Sequence, residues 1–297
     1  MRSAKGPARH RVMVAGGVTA AGLMASMLAV LAVQMVVARR SIPVPQDPPP
    51  RGRAAHGPRS RAGAFTMVVL GDSFAAGYGA GRSRETAGSL LAAGVARRLQ
   101  RRVELSTLAV VGAETSGLRH QVDNAVGLRP DLAVIFIGGN DVTQLAAHNT
   151  PARELGAAVR RLRRVGCRVV VGTCPDLSVL PAFRPPLRWL AWLLSRRLAA
   201  AQTSAVTRAG GSTVSLAKLL NPWFRADPVR MFSVDLFHPS AEGYARAAAV
   251  TLPAVLAALR DHPLTSAVPR QDRRERERLP GYGDRWAAAG RAWTRLA

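Results

Sequence analysis

The chain has 297 residues, of which 48% are apolar and only 5% aromatic. This length and composition fit one domain of about 200 residues with a core of Ala, Val and Leu, plus terminal extensions. The net charge of +24, from 42 basic and 18 acidic residues, raises the hypothesis of a nucleic-acid or anionic-membrane partner. The arginines are scattered along the whole chain, however, without zinc-finger spacing or an RNA-binding aromatic motif. We therefore expect an arginine-rich surface and no nucleic-acid partner.

An apolar segment lies near the N-terminus. Residues 12–38 carry no charged side chain and are long enough to span a hydrocarbon core of roughly 30 Å with some tilt. Basic residues flank the segment, within residues 1–11 and at Arg39 and Arg40. A cleaved signal peptide is the alternative, but its apolar region is usually about 7–15 residues, and no A-x-A-like site precedes Arg39. We predict an uncleaved transmembrane signal anchor with the rest of the chain outside the cytoplasm; the alternative is secretion after cleavage.

Three further regions follow the apolar segment. Residues 39–64 are rich in Pro, Gly and Arg and lack an apolar period, which indicates an extended linker rather than a folded element. Residues 65–260 form the predicted domain. Residues 261–297 are predicted to be a charged tail. The last residues of this tail include Tyr282, Trp286 and Trp293. They could form a short amphipathic helix on a membrane, or they could pack back onto the domain.

Short apolar runs alternate with helical stretches between residues 65 and 260. This alternation predicts an α/β domain with a mostly parallel sheet that is covered on both faces. The predicted strands are Phe65–Leu70, Val103–Val111, Ala133–Ile137, Arg168–Gly172 and Ser212–Ser215. The predicted helices lie near residues 85–102, 115–127, 151–164, 185–209 and 240–260.

The two cysteines, Cys167 and Cys174, stand on either side of a predicted buried strand. An extended strand would separate them by roughly 20 Å, whereas a disulfide needs Cα atoms within about 7 Å. We therefore expect no disulfide between them.

The first motif that could carry chemistry is Gly71-Asp72-Ser73-Phe74, directly after the first predicted strand. Active sites in open parallel sheets gather at the carboxyl ends of the strands. A serine hydroxyl at such a strand-to-helix turn lies near free backbone N–H groups, which can stabilise a developing oxyanion. The tripeptide alone is equally typical of a simple helix cap.

The second motif is Asp235-Leu236-Phe237-His238. A serine hydroxyl becomes a good nucleophile only when a base accepts its proton, and the base needs a group that fixes its tautomer. A carboxylate three residues before an imidazole can hydrogen-bond to it within one short loop. The alternative interpretation is a surface Asp beside a structural His.

Two further positions follow predicted strands. Gly138-Gly139-Asn140-Asp141 comes after the third strand, where the Asn140 amide could donate a hydrogen bond to the same oxyanion. Gly112 comes after the second strand, where the missing side chain would let a backbone N–H approach a substrate. Each position taken alone also fits an ordinary turn.

The four motifs together resemble the SGNH (GDSL-like) serine hydrolases, which share a GDS block, a central Gly, a GxND block and a final DxxH block. The resemblance covers about residues 65–260. It implies a three-layer α/β/α, flavodoxin-like fold. It also implies a catalytic triad of Ser73, Asp235 and His238, and an oxyanion hole formed by Ser73, Gly112 and Asn140.

The chain departs from the family pattern at two places. Phe74 replaces the usual Leu, and Ser106 and Thr107 stand where an Asn often precedes the central Gly. The second departure makes Gly112 the least secure of the five assignments. No metal-ligand cluster is visible in the sequence, and the mechanism that the resemblance implies needs no cofactor.

The resemblance implies an esterase that acts on acyl esters, and the apolar segment over residues 12–38 predicts that it is exported and membrane-anchored. The substrates considered are short-chain carboxylic esters, O-acetyl groups on cell-wall polysaccharides, and lipid esters. The apolar segment Leu187–Leu198 could line an acyl chain, or it could be a helix that packs on the sheet. A non-enzymatic basic envelope protein that binds an anionic polymer or lipid is the alternative function.

Overall fold

The computed structural model describes residues 7–41, 48–50, 52–59 and 63–260, without the side chains of residues 7–21 and 39. The predicted tail over residues 261–297 lies outside the described residues, as does the start of the basic N-terminus.

Among the described residues, six strands form one sheet in the order β1-β3-β2-β4-β5-β6. The strands are β1 (Arg53–His56), β2 (Phe65–Gly71), β3 (Val103–Thr107), β4 (Leu132–Phe136), β5 (Arg168–Gly172) and β6 (Ser212–Val214). All neighbours pair in parallel except β1, which lies antiparallel to β3 at the edge. The mostly parallel α/β sheet predicted from the sequence is therefore confirmed. Without β1, the strand order is the 2-1-3-4-5 order of flavodoxin-like folds.

Helices cover both faces of the sheet. They are α1 (Pro7–Ser41), α2 (Ser73–Ala76), α3 (Ala87–Leu99), α4 (Leu118–Gly127), α5 (Gly139–Thr143), α6 (Asn149–Arg164), α7 (Leu187–Arg208), α8 (Leu216–Ala226), α9 (Pro228–Met231) and α10 (Ala241–Arg260). Side chains of β2 alternate between two cores. Met67 and Val69 pack in the core of α3, α8 and α10, while Val68 and Leu70 pack in the core of α4 and α6. The domain therefore has the expected three layers.

The second predicted strand is shorter than expected. Pairing in β3 ends at Thr107, not at Val111. The backbone beyond it still follows β2, because the N–H groups of Leu108 and Val110 donate to the carbonyls of Val69 and Gly71, at 2.8 and 3.0 Å. This irregular stretch turns the chain across the end of β2, where the candidate site lies.

The predicted linker over residues 39–64 contains a folded element. Arg53–His56 forms strand β1, which pairs with Val103–Ser106. The expectation of an unfolded spacer was therefore wrong for this stretch. A four-residue edge strand with the sequence Arg-Ala-Ala-His has no apolar pattern that would predict it, and its position depends on the partner strand.

The segment between β6 and α10 also differs from the sequence prediction, which placed no helix there. The structure has α8 and α9 in this segment. The buried residues of α8 are Leu216, Leu220 and Phe224, which recur every four residues on one face. Pro222 inside α8 obscures that pattern, since proline in a helix interior usually indicates a break.

The last part of α1 packs against the domain. Gln34 accepts a hydrogen bond from the Leu187 N–H at 3.0 Å and donates to the Pro185 carbonyl at 2.8 Å, while Ala38 is buried in the core. No helix long and apolar enough to cross a membrane is found among the residues with described side chains. The predicted transmembrane segment over residues 12–38 lies partly outside that set and finds no support there.

Both cysteines are buried and free. Cys167 precedes β5 and Cys174 follows it, so strand β5 holds them apart. The prediction that they form no disulfide with each other is confirmed.

Candidate active site

The turn after β2 presents the Ser73 hydroxyl at the carboxyl end of the sheet. Gly71 has a φ of 135°, and a Cβ at this position would lie 1.8 Å from the carbonyl oxygen of Phe136 on β4. Only glycine therefore lets the chain turn this close to the neighbouring strand. Ser73 is the first residue of α2, with its side chain half-buried. The strand order reverses beside β2, so Ser73 lies at the switch point where ligands of such sheets bind.

The loop before α10 brings His238 to this serine. The Nε2 atom of His238 lies 2.9 Å from Ser73 Oγ, and its Nδ1 atom lies 2.6 Å from Asp235 Oδ2. The three side chains thus form one continuous line of hydrogen bonds, although 165 positions separate Ser73 from His238. The sequence-predicted triad residues are all brought together.

Asp235 is held by the loop itself. Its Oδ1 accepts hydrogen bonds from the Ser233 hydroxyl at 2.6 Å and from the backbone N–H groups of Phe237 and His238, each at 2.9 Å. Burial alone would raise the pKa of Asp235, but the hydrogen bonds from His238 and Ser233 lower that pKa to about 2. The carboxylate is therefore ionised at neutral pH.

The imidazole of His238 is also positioned by aromatic contacts. The rings of Tyr78 and Phe237 meet it edge-on, with centroids at 4.8 and 4.9 Å. The backbone carbonyl of Tyr78 accepts a hydrogen bond from the buried Tyr244 hydroxyl at 2.7 Å, which ties the Ser73 turn to α10. The sequence analysis missed these two tyrosines as supporting residues, because only their spatial neighbours reveal this role.

The three predicted oxyanion donors lie on the turn of Ser73 and on two loops that are hydrogen-bonded to that turn. Neither the Ser73 nor the Gly112 backbone N–H has a hydrogen-bond acceptor among the described residues. Gly112 has a φ of 75° in the turn after β3, a conformation that glycine adopts without strain. The Asn140 amide, in the first turn of α5, donates one N–H to the Ala113 carbonyl at 2.9 Å. That bond orients the amide and leaves its second N–H for another acceptor.

Buried polar side chains connect these loops behind the site. Asp141 accepts hydrogen bonds from the N–H and hydroxyl of Thr115, at 3.2 and 2.9 Å, and so ties α5 to the loop that carries Gly112. Gln121 donates to the Gly71 carbonyl at 2.8 Å and accepts from the Gly71 N–H at 2.7 Å. The role of Gln121 could not be predicted from the sequence, since a glutamine on an amphipathic helix usually faces solvent.

Asp72 is a second buried carboxylate in this region. Its side chain accepts hydrogen bonds from the backbone N–H groups of Phe74, Ala75 and Gly138, so one carboxylate joins the Ser73 turn to the segment that carries Asn140. Burial, and to a smaller extent the nearby charge of Asp141, raise the pKa of Asp72 to about 7. Asp72 is therefore the N-cap of α2. The sequence did not predict that its side chain also holds two loops together.

The raised pKa of Asp72 predicts a stability that falls with pH. In the unfolded chain this carboxyl ionises near pH 4, whereas the folded protein keeps it protonated up to about pH 7. Stability should therefore decrease between about pH 4 and 7, by at most about 1.4 kcal/mol per pH unit from this group. Urea unfolding of Asp72→Asn should show a shallower decrease over this range. The exposed-site control Asp123→Asn should keep the wild-type slope, and equal slopes in all three proteins would contradict the assignment.

The described residues contain no group of three or more His, Cys, Asp or Glu side chains arranged to hold a metal ion. The titratable groups at the site are instead Asp72, Asp141, Asp235 and His238. Of these, Asp235 and His238 form one hydrogen-bonded line with the Ser73 hydroxyl, an arrangement that suits nucleophilic acyl transfer.

Comparisons with known proteins agree with this geometry. A profile of the GDSL-like lipase/acylhydrolase family matches residues 69–246. A GDSL-like esterase of Mycobacterium tuberculosis is 47% identical over 229 residues, which is 72% of each chain.

Solved structures show the same fold at low identity. The lipase/acylhydrolase of Enterococcus faecalis is 20% identical with a TM-score of 0.52, and the match covers 65% of this chain and 96% of that chain. An acetylxylan esterase of Geobacillus stearothermophilus, solved as a catalytic mutant, is 15% identical with a TM-score of 0.52, over 64% of this chain and 94% of that chain. The chain belongs to the SGNH, or GDSL-like, lipase/acylhydrolase family of ester hydrolases.

Proposed function

We propose that this protein is a serine esterase that cleaves carboxylic acyl esters through an acyl-enzyme on Ser73. One observation carries the proposal: the continuous line of hydrogen bonds from Asp235 through His238 to Ser73, at 2.6 and 2.9 Å. A hydroxyl in such a line loses its proton to the imidazole as it attacks, and the carboxylate stabilises the imidazolium that results.

In the first half of the reaction, Ser73 Oγ bonds to the ester carbonyl carbon and its proton moves to His238 Nε2. The carbonyl oxygen becomes an oxyanion that can accept hydrogen bonds from the Ser73 and Gly112 N–H groups and the free Asn140 N–H. Collapse of this intermediate breaks the bond to the alkoxy group. The leaving alcohol takes the proton from His238, and the acyl group stays on Ser73.

In the second half, water replaces the alcohol. His238 accepts a proton from the water molecule as its oxygen bonds to the acyl carbon, and a second oxyanion forms in the same place. Its collapse breaks the bond to Ser73 Oγ, which regains a proton from His238. One ester and one water thus yield one alcohol and one carboxylic acid, and the enzyme is restored.

Membership of the family does not determine which acyl group the ester substrate carries. The similar proteins include a lipase/acylhydrolase and an acetylxylan esterase, so we propose short-chain, O-acetyl and lipid esters as the substrate classes. Beside α5, a small apolar cleft is lined by Val142, Leu145, Phe183, Leu187 and Leu190, among others. Part of the predicted acyl-chain wall, Leu187–Leu198, therefore lies next to the helix that carries Asn140.

We also propose that the domain works outside the cytoplasm, held there by the N-terminal segment.

Hydrolysis of a series of p-nitrophenyl esters, from acetate to palmitate, tests this function with the full chain in mild detergent. We expect catalytic release of p-nitrophenol with at least one member, together with an equal amount of the carboxylic acid. The chain length with the highest kcat/KM would identify the acyl class. Release no faster than in buffer for the whole series would contradict an esterase.

Replacing Asn140 with Ala should lower kcat by about 10²–10³-fold, because one oxyanion donor is lost. KM should change little, since the ground-state carbonyl makes weaker use of the donor. The control Asn124→Ala removes an exposed amide on α4 and should leave both constants unchanged. A normal kcat for Asn140→Ala would remove Asn140 from the oxyanion hole.

A further inference from the structure

The first half of α7 has an exposed face that the proposed chemistry does not use. Trp189 and Trp192 are 66% and 42% exposed, one turn apart, whereas Leu187 and Ala191 on the opposite side are buried. Arg188 and Arg196 are exposed beside them. We call these four residues, Arg188, Trp189, Trp192 and Arg196, the Trp face. Two large exposed indoles on one short helical segment indicate a binding surface more than scattered surface residues do.

The Trp face carries two positive charges, and the chain has no Asp or Glu between Asp176 and Asp227. Arg184 and Arg197, next to it in the chain, are also exposed. The Arg196 guanidinium lies over the Trp192 ring, 4.9 Å from its centroid. Indoles flanked by arginines are the composition that suits the boundary between anionic lipid headgroups and acyl chains.

Other exposed apolar side chains lie on α1 and α5, which both contact α7. Gln34 binds the backbone of Pro185 and Leu187, so the last part of α1 is fixed at the start of α7. On α1, several large apolar side chains are exposed between Leu23 and Val37. At the end of α5, Leu145 is exposed and lines the apolar cleft together with Leu187. The cleft lies on the side of α7 that carries Leu187 and Ala191, opposite the Trp face.

We propose that the Trp face seats the catalytic domain on an anionic phospholipid bilayer, with the indoles at the level of the headgroups and the arginines on lipid phosphates. This contact belongs to the folded domain and is separate from any anchoring by the N-terminal segment. Membrane seating does not depend on esterase activity, so it can fail or succeed independently of the proposed function.

Tryptophan quenching by brominated lipid tests the proposal. The full chain is reconstituted into vesicles of phosphatidylcholine and phosphatidylglycerol whose acyl chains carry bromine, and the quenched part of its emission is measured. Trp189→Phe/Trp192→Phe should lose more than half of the quenched emission. The matched control Trp223→Phe removes an indole that is 45% exposed on α8 and covered by Arg246, and it should keep the wild-type value.

Charge is tested by a second pair of measurements. In wild type, quenching should be at least twofold greater with phosphatidylglycerol than in vesicles of phosphatidylcholine alone, and Arg188→Gln/Arg196→Gln should abolish that difference. Three outcomes would overturn the proposal. They are unchanged quenching in the double tryptophan variant, an equal loss in Trp223→Phe, and burial of the two indoles by self-association of the protein without lipid.

Discussion

Ser73→Ala should reduce turnover of p-nitrophenyl acetate by about 10⁴-fold or more. Loss of the nucleophile in comparable hydrolases removes nearly all catalysis and leaves only the part that comes from binding and the oxyanion hole. The hydroxyl is half-buried, and its hydrogen bond runs to His238 Nε2. Its removal should therefore leave the fold unchanged, and the circular dichroism spectrum and melting temperature should stay close to those of wild type.

The control for this variant is Ser204→Ala, which removes an exposed hydroxyl on α7. Activated phenyl esters also react slowly with other surface nucleophiles, so the comparison must use kcat/KM rather than the presence of colour. Wild-type kcat/KM in a correctly folded Ser73→Ala protein would exclude Ser73 as the nucleophile.

His238→Ala should reduce kcat by a similar factor, of order 10⁴-fold, because no other base among the described residues hydrogen-bonds to the serine hydroxyl. The loop should survive the substitution. Asp235 would lose the Nδ1 contact but keep the Ser233 hydroxyl and two backbone N–H groups, including that of residue 238 itself. We expect a folded protein with a small loss of stability from the missing packing against Tyr78 and Phe237.

The matched control is His120→Ala, at an exposed position on α4. It should retain full activity. If His238→Ala kept more than about a tenth of the wild-type kcat, the proton would have to move to another group, and the proposed mechanism would fail.

The candidate catalytic side chains could be predicted from the sequence because each belongs to a short motif, and two of those motifs follow clearly predicted strands. Ser73 follows the fully buried strand β2, and Asn140 follows β4. Asp235 and His238 are three residues apart, so one loop fixes their contact. What the sequence could not show is the distance from His238 to Ser73, which depends on how α10 packs across the sheet.

The supporting residues escaped prediction because their roles depend on contacts between distant segments. Gln121 binds the backbone of Gly71, 50 positions away, and Gln202 binds the backbone of Ile137 and Cys174. A buried amide on a helix has no local pattern that separates it from an exposed one. The burial of Asp72 could not be predicted for the same reason, since a capping Asp usually lies at the protein surface.

Errors in the fold prediction have equally specific causes. Strand β1 consists of Arg53–His56, and its place comes from pairing with β3 rather than from its own apolar pattern. The predicted strand through Val111 ended at Thr107 because the chain must turn there to bring Gly112 beside β2. In both regions tertiary pairing outweighed local preference.

The central claim is that Ser73 becomes covalently bonded to the acyl group. A fluorophosphonate tests it directly, because attack by the serine releases fluoride and leaves a stable phosphonyl ester that resembles the tetrahedral intermediate. We predict complete loss of esterase activity with one phosphonyl group per chain, located by peptide mass spectrometry on Ser73 and absent from Ser73→Ala. Inactivation with the label on another residue, or full activity after exposure to the reagent, would contradict the account.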